Sequence, residues 1–108
     1  MGTANWFAHK PARNRGSGAP TVIGPLHASG ATTTNNSSAN GLDSGDTGTT
    51  TEVTLPAGLF LRIRMDEAGW LKIGGGTPAV GDGFYIPADI DVDIEVTEAG
   101  IVNVIDAA

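Results

Sequence analysis

The chain has no cysteine among its 108 residues, which excludes a disulfide framework, a thiolate metal site and a thiol nucleophile. Histidine occurs only at His9 and His27. Neither has the acid–histidine spacing of a catalytic triad or a zinc site, so both are expected at the surface. No apolar run reaches the length of a membrane-spanning helix, and the first residues lack the apolar core of a secretory signal. Neither a transmembrane segment nor a signal peptide is expected. Helical periodicity is missing as well. In its place stand 16 Gly, 6 Pro and abundant Thr, a composition of strands and turns. The reading is one all-β domain, large enough for a modest core but not for a deep cleft with a separate lid.

A repeated segment is present. "LPAGLFLRIRMDEAGWLKI" (55–73) and "IPADIDVDIEVTEAGIVNV" (86–104) align at a constant offset. Pro56 falls on Pro87, Ile63 on Ile94, and Glu67-Ala68-Gly69 on Glu98-Ala99-Gly100. Apolar residues alternate in both copies, as in half-buried strands. Each copy is therefore predicted to be a β-hairpin over 59–73 and 90–105, with Gly69 and Gly100 at positive φ. The two hairpins are expected to pack face to face or to join in one small sheet. The predicted core is Leu59, Leu61, Ile63, Leu71, Ile73, Val92, Ile94, Val102 and Val104.

Charge divides the chain. Residues 1–19 carry Lys10, Arg13 and Arg15 and no acid, a formal +3. The rest carries all 12 acids against Arg62, Arg64 and Lys72, a formal −9, so the whole stands at −6. The leading segment has too little apolar surface to fold alone. It reads as an extended basic arm that docks on a neighbouring subunit, with Trp6 and Phe7 as anchors. Residues 20–108 form the β domain. "PTVIGPL" (20–26) reads as an edge strand or the start of the body. The polar stretch 27–52 reads as a long loop region with one or two short exposed strands at its threonine runs.

Motifs of chemistry are weak. Gly74-Gly75-Gly76 follows a strand, but Pro78, Gly81 and Gly83 stand where a phosphate loop would need a helix. "GLDSG" has Asp43 where a nucleophile elbow needs Ser. Asp43 and Asp46 lack the ligand alternation of a calcium loop and read as a solvated turn. Asn35 and Asn36 begin formal glycosylation sequons, meaningful only in a secretory host. The strongest feature is an acidic stripe. Asp91, Asp93 and Glu95 project from one face of a strand, about 7 Å apart. Carboxylates at such spacing can serve glycoside hydrolysis, but that role needs separated environments, which one exposed ladder does not offer. Two readings stay open: a solvated face that blocks edge aggregation, or a charge-matched contact with Arg62 and Arg64 at the corresponding positions of the first copy.

The pattern Leu55-Pro56-Ala57-Gly58, a strand, a turn, Trp70-Leu71-Lys72-Ile73-Gly74, a Gly-rich loop with Thr77-Pro78, then Tyr85-Ile86-Pro87-Ala88, resembles small β-rich virion proteins of tailed bacteriophages. Among these it is most similar in style to head decoration, or cement, proteins. The resemblance covers roughly residues 50–106. It implies a jelly-roll or β-sandwich-like body, a homo-oligomer (dimer or trimer), a place on the capsid surface, and contact with the major capsid protein or other virion subunits. It implies no catalytic residue and no cofactor. The interface is expected at Trp6, Phe7, Lys10, Arg13 and Arg15 of the arm and at Arg62, Arg64, Trp70, Asp91 and Asp93 of the body. An acidic body is repelled by nucleic acid. The alternatives are a neck, tail or fibre-attachment adaptor, or a carbohydrate-binding module using Trp70 and Tyr85.

Overall fold

Period-two alternation governs the structure, and it begins earlier than the basic composition of the first residues suggests. The computed structural model describes residues 2–11, 23–43 and 52–107. They form β1 (Gly2–Pro11), β2 (Ile23–Thr34), β3 (Asn40–Gly41), β4 (Thr54–Leu55), β5 (Phe60–Met65), β6 (Gly69–Lys72), β7 (Phe84–Ile86), β8 (Val92–Glu95), β9 (Gly100–Ile101) and β10 (Asn103–Asp106). One antiparallel sheet has the order β2-β1-β5-β8, a second β3-β10-β6-β7, and β4 pairs with β9. Apolar side chains from all three belong to a single core.

The first residues, expected as an arm, belong to the body. Gly2–Pro11 is a central strand, hydrogen-bonded to β2 on one side and β5 on the other. Ala4, Trp6 and Ala8 point into the core and are buried. The rest of the expected arm, 12–19, lies outside the described residues. Sparse apolar content does not prevent burial here, because the strand borrows the apolar faces of its neighbours. His9, expected at the surface, is buried as well, whereas His27 is exposed.

The polar stretch is also more ordered than its composition implies. β2 is the edge strand suggested for 20–26, but it runs on through Thr34. Thr32 and Thr34 turn inward while Thr33 stays exposed. Thr32 Oγ1 accepts the Asp43 amide at 2.9 Å, and Thr34 Oγ1 donates to Asp106 Oδ1 at 2.6 Å. These bonds let a threonine face lie in the interior. Leu42 is fully buried, and buried Asp43 pairs through its backbone with Glu52 in an isolated antiparallel β-bridge rather than sitting in a solvated turn. Asp46 lies outside the described residues.

The repeat is real in three dimensions, but its copies are not hairpins. β5 and β6 flank one turn yet lie in different sheets, and so do β8 and β10. Each copy is an arch that contributes one strand to each sheet. Alternation permits this equally well, since it specifies which side chains face the core and not which backbone supplies the hydrogen bonds. The copies pair with each other instead. β5 runs antiparallel to β8 with Arg62 opposite Asp93, 31 residues apart. β6 runs antiparallel to β10 with Lys72 opposite Asn103, at the same offset. A residue paired with its own repeat mate marks a local two-fold axis, so one such axis passes through both sheets. Details obey it. Trp70 opposite Tyr85 repeats Ile101 opposite Thr54, and Gly69 opposite Ile86 repeats Gly100 opposite Leu55. The Gly58 amide bonds Val96 O at 2.8 Å, and the Asp89 amide bonds Met65 O at 2.7 Å. Gly58 and Asp89 both have positive φ, +96° and +58°.

Of the predicted core, Leu59, Leu61, Ile63, Leu71, Ile94, Val102 and Val104 are buried, and Ile73 and Val92 are partly buried against it. Gly100 has the expected positive φ, +147°, but Gly69 does not. Gly69 is needed for space: a Cβ there would lie 2.5 Å from the Ile105 carbonyl oxygen.

Candidate protein-binding face

The neighbouring strands β1, β5 and β8 each send alternate residues away from the core, and these gather on the outer face of one sheet. Register sets the rows. Phe7 lies opposite Arg62, which lies opposite Asp93, and His9 lies opposite Phe60, which lies opposite Glu95.

Arg62 is the centre of this surface. Its Nε donates to Asp93 Oδ1 at 2.8 Å and its Nη2 to Asp93 Oδ2 at 3.0 Å. This planar two-point bond is the geometry Arg offers and Lys cannot. The guanidinium carbon also stands 5.8 Å from the centre of the Phe7 ring, within range of a cation–π contact. The hydrogen bond from Arg62 holds the Asp93 carboxyl below its ordinary range, against desolvation, with the Arg62 charge acting in the same direction as the bond. The same bond raises the Arg62 guanidinium. Arg64 and Asp91 make a looser pair at 3.8 Å. The contact of the acidic stripe with Arg62 and Arg64 is formed within the chain, on a strand that also lies at the edge of its sheet. Both pairs retain exposed carboxylates.

Aromatic rings extend the row. The Phe7 and His9 rings are 5.7 Å apart, and His9 stacks on Phe60 at 5.9 Å. His9 Nδ1 donates to the Lys10 carbonyl at 3.0 Å. Beside this row, a shallow depression of about 620 Å³ is bordered by Asn5, Phe7, Arg62, Arg64 and Asp91.

The expected interface set is therefore divided. Phe7, Arg62, Arg64, Asp91 and Asp93 come together on this face. Trp6 does not join them; its ring lies in the core and its Nε1 donates to the Asp43 carbonyl at 2.9 Å. Lys10 is exposed on β1, while Arg13 and Arg15 lie outside the described residues. Trp70 stands on the other sheet, half-buried, meeting Tyr85 edge to face at 5.2 Å. Beside it Lys72 binds Asp82 at 2.7 Å. Sequence reasoning missed His9 and Phe60. The signal was the alternation of Asn5, Phe7 and His9 against Ala4, Trp6 and Ala8, which marks residues 2–11 as a half-buried strand.

Among the described residues no cluster of three or more His, Asp or Glu could hold a metal ion, and no helix is long and apolar enough to cross a membrane. Comparison with models of protein families, with curated proteins and with solved structures finds no match to this chain.

Proposed function

We propose that this chain is a structural assembly protein, and most specifically a capsid decoration protein, whose body is a small two-layer β-sandwich. It binds through the outer face of the β2-β1-β5-β8 sheet. The observation that carries this reading is the collection of Phe7, Arg62 and Arg64 on one continuous sheet face, with Asp91 beside them at its border. Aromatic and Arg side chains are those that dominate binding energy in protein interfaces. Arg62 is held in place before any partner arrives, which reduces the entropy lost on binding. The partner is a major capsid protein or another virion subunit, and the chain acts as a small homo-oligomer.

The test adds purified chain to undecorated tailed-phage capsids, followed by co-sedimentation and electron cryomicroscopy. Symmetric added density is expected, and Phe7→Ala with Arg64→Ala should weaken attachment without unfolding the domain. No attachment to such capsids, or attachment unaffected by the double variant, would overturn it. A polysaccharide resin provides the contrast: retention that disappears in Tyr85→Ala would favour a carbohydrate-binding module.

A further inference from the structure

The two-fold relation between the repeats does not extend to what covers their outer edges. On one side of the axis, the outer edge of β5 is covered by β1, and Trp6 descends into the core. The segment 40–43 closes the same side, with β3 beside β10 and the Leu42 amide bonded to Val102 O at 2.8 Å. On the other side the corresponding strand is β8, and no strand among the described residues pairs with its outer edge. Where the counterparts of Trp6 and Leu42 would sit, there is an apolar groove of about 430 Å³ between the edges of the two sheets. Ile73, Phe84, Ile86, Val92 and Ile94 line it. The exposure differs accordingly. Val104 and Leu61 are fully buried on the closed side; their repeat mates Ile73 and Val92 are only partly covered. At this end Phe84 and Tyr85 are each 52% exposed, and Ile90 is 53% exposed.

The backbone of β8 is set for another strand. Val96 directs both its amide and its carbonyl to the β5 side, onto Leu59 O and Gly58 N. In an antiparallel ladder the direction alternates by residue. Ile94 and Val92 therefore face β5 too, and the backbone groups of Asp93 and Glu95 face the open edge.

We propose that β8 and this groove form a docking site for an extended, basic segment of a partner protein, added antiparallel to β8 as a further strand. This site adjoins the sheet face proposed above and shares Asp93 with it, but it uses the edge of β8 and does not depend on that reading. The structure itself contains the template for the ligand. β1 sets Ala4 opposite Met65, Trp6 opposite Ile63 and Ala8 opposite Leu61. Transferred by the two-fold axis, the partner places a small residue opposite Val96, a large aromatic opposite Ile94 and a small residue opposite Val92. Its intervening residues lie beside Glu95 and Asp93. Asp93 retains free acceptor sites beyond its bond to Arg62, and Glu95 forms no ion pair among the described residues. Basic side chains fit both. Main-chain bonds supply affinity and the alternate pockets supply selectivity, as in other strand-addition sites. The same acids disfavour a second copy as occupant, since β8 against β8 would set carboxylates against carboxylates. β1 of a second copy is unsuitable too, because its Trp6 is already committed to its own core.

The probe is a synthetic peptide of the β1 sequence 3–10 carrying Asn5→Arg and Phe7→Arg, so that arginines meet Glu95 and Asp93. It is titrated into the full chain and followed by fluorescence anisotropy and backbone NMR. Saturable binding is expected, with new amide protection at Asp93 and Glu95. Peptide Trp6→Ala, or the charge reversals Asp93→Lys and Glu95→Lys in the protein, should each weaken it about tenfold or more. Glu95→Pro, which removes an outward amide from an edge strand where Pro is tolerated, should abolish it while leaving the thermal transition in place. Should Glu95→Pro fail to fold, the charge reversals still decide. No saturable binding, perturbations at 60–65 instead of 92–97, or affinity indifferent to the reversals would overturn the proposal.

Discussion

Ile63 and Ile94 are repeat mates on adjacent strands, and truncating each to Ala is expected to give unequal costs. Ile63 is 1% exposed on the closed side of the core; Ile94 is 9% exposed and lines the open groove. Ile→Ala removes three methyl or methylene groups, a transfer loss of about 2.4 kcal/mol at roughly 0.8 kcal/mol per group. At position 63 the surrounding core, with Trp6 in it, leaves a sealed void. At about 24 cal/mol per Å³, a void of roughly 60–80 Å³ adds about 1.5–2 kcal/mol. At position 94 the vacated volume joins a groove already open to water, so little cavity term arises. The expected costs are about 4 kcal/mol for Ile63→Ala and about 2–2.5 kcal/mol for Ile94→Ala, a gap near 1.5 kcal/mol. Urea unfolding followed by both fluorescence and circular dichroism, with coincident transitions and equal slopes, measures the gap directly. Equal losses, or a larger loss at position 94, would refute the claim that the two sides of the core are closed to different degrees.

Two further outcomes follow from the same geometry. Trp6→Ala should destabilise the domain by about 3–5 kcal/mol, because Trp6 is 3% exposed and its indole donates to Asp43; a urea midpoint within a few tenths of a molar of the parent's would return residues 2–11 to the status of a dispensable arm. Asp93→Asn should cost less than about 1 kcal/mol at pH 7, since the Arg62–Asp93 pair is largely exposed. The sign of its pH dependence follows from the lowered Asp93 carboxyl: the pair's contribution is complete above the unfolded carboxylate range, near pH 4, and is lost as pH falls through the depressed folded value. Urea midpoints at pH 7 and pH 3 should therefore converge for parent and variant at the lower pH; a constant difference would remove the ion pair from the account.

How much of the site was legible depends on which interaction is asked about. The pairing of Arg62 with Asp93 could be anticipated as one alternative, because a constant offset placed opposite charges on equivalent residues. Its two-point geometry and the cation–π contact of the guanidinium with Phe7 could not, since Phe7 belongs to β1, and nothing local in residues 2–11 announces a partner. The basic, Gly- and Pro-rich continuation through residue 19 has the composition of an arm. The open groove was not legible at all: it exists because β1 covers one edge of a two-fold body and nothing described covers the other.

The sequence by itself determined the all-β class, the inward phase of Leu61, Ile63, Leu71, Ile94, Val102 and Val104, and the turns at Glu-Ala-Gly. These are properties of side-chain direction and backbone conformation, which a chain carries locally. Tertiary structure decided which strands share hydrogen bonds. Every strand offers the same amides and carbonyls, so partner choice rests on how the apolar faces close one core. An arch and a hairpin satisfy the same alternation. Closure of the core over Trp6 and Leu42 goes with the arch, pairs each repeat with the other, and leaves the outer edge of β8 unpaired among the described residues.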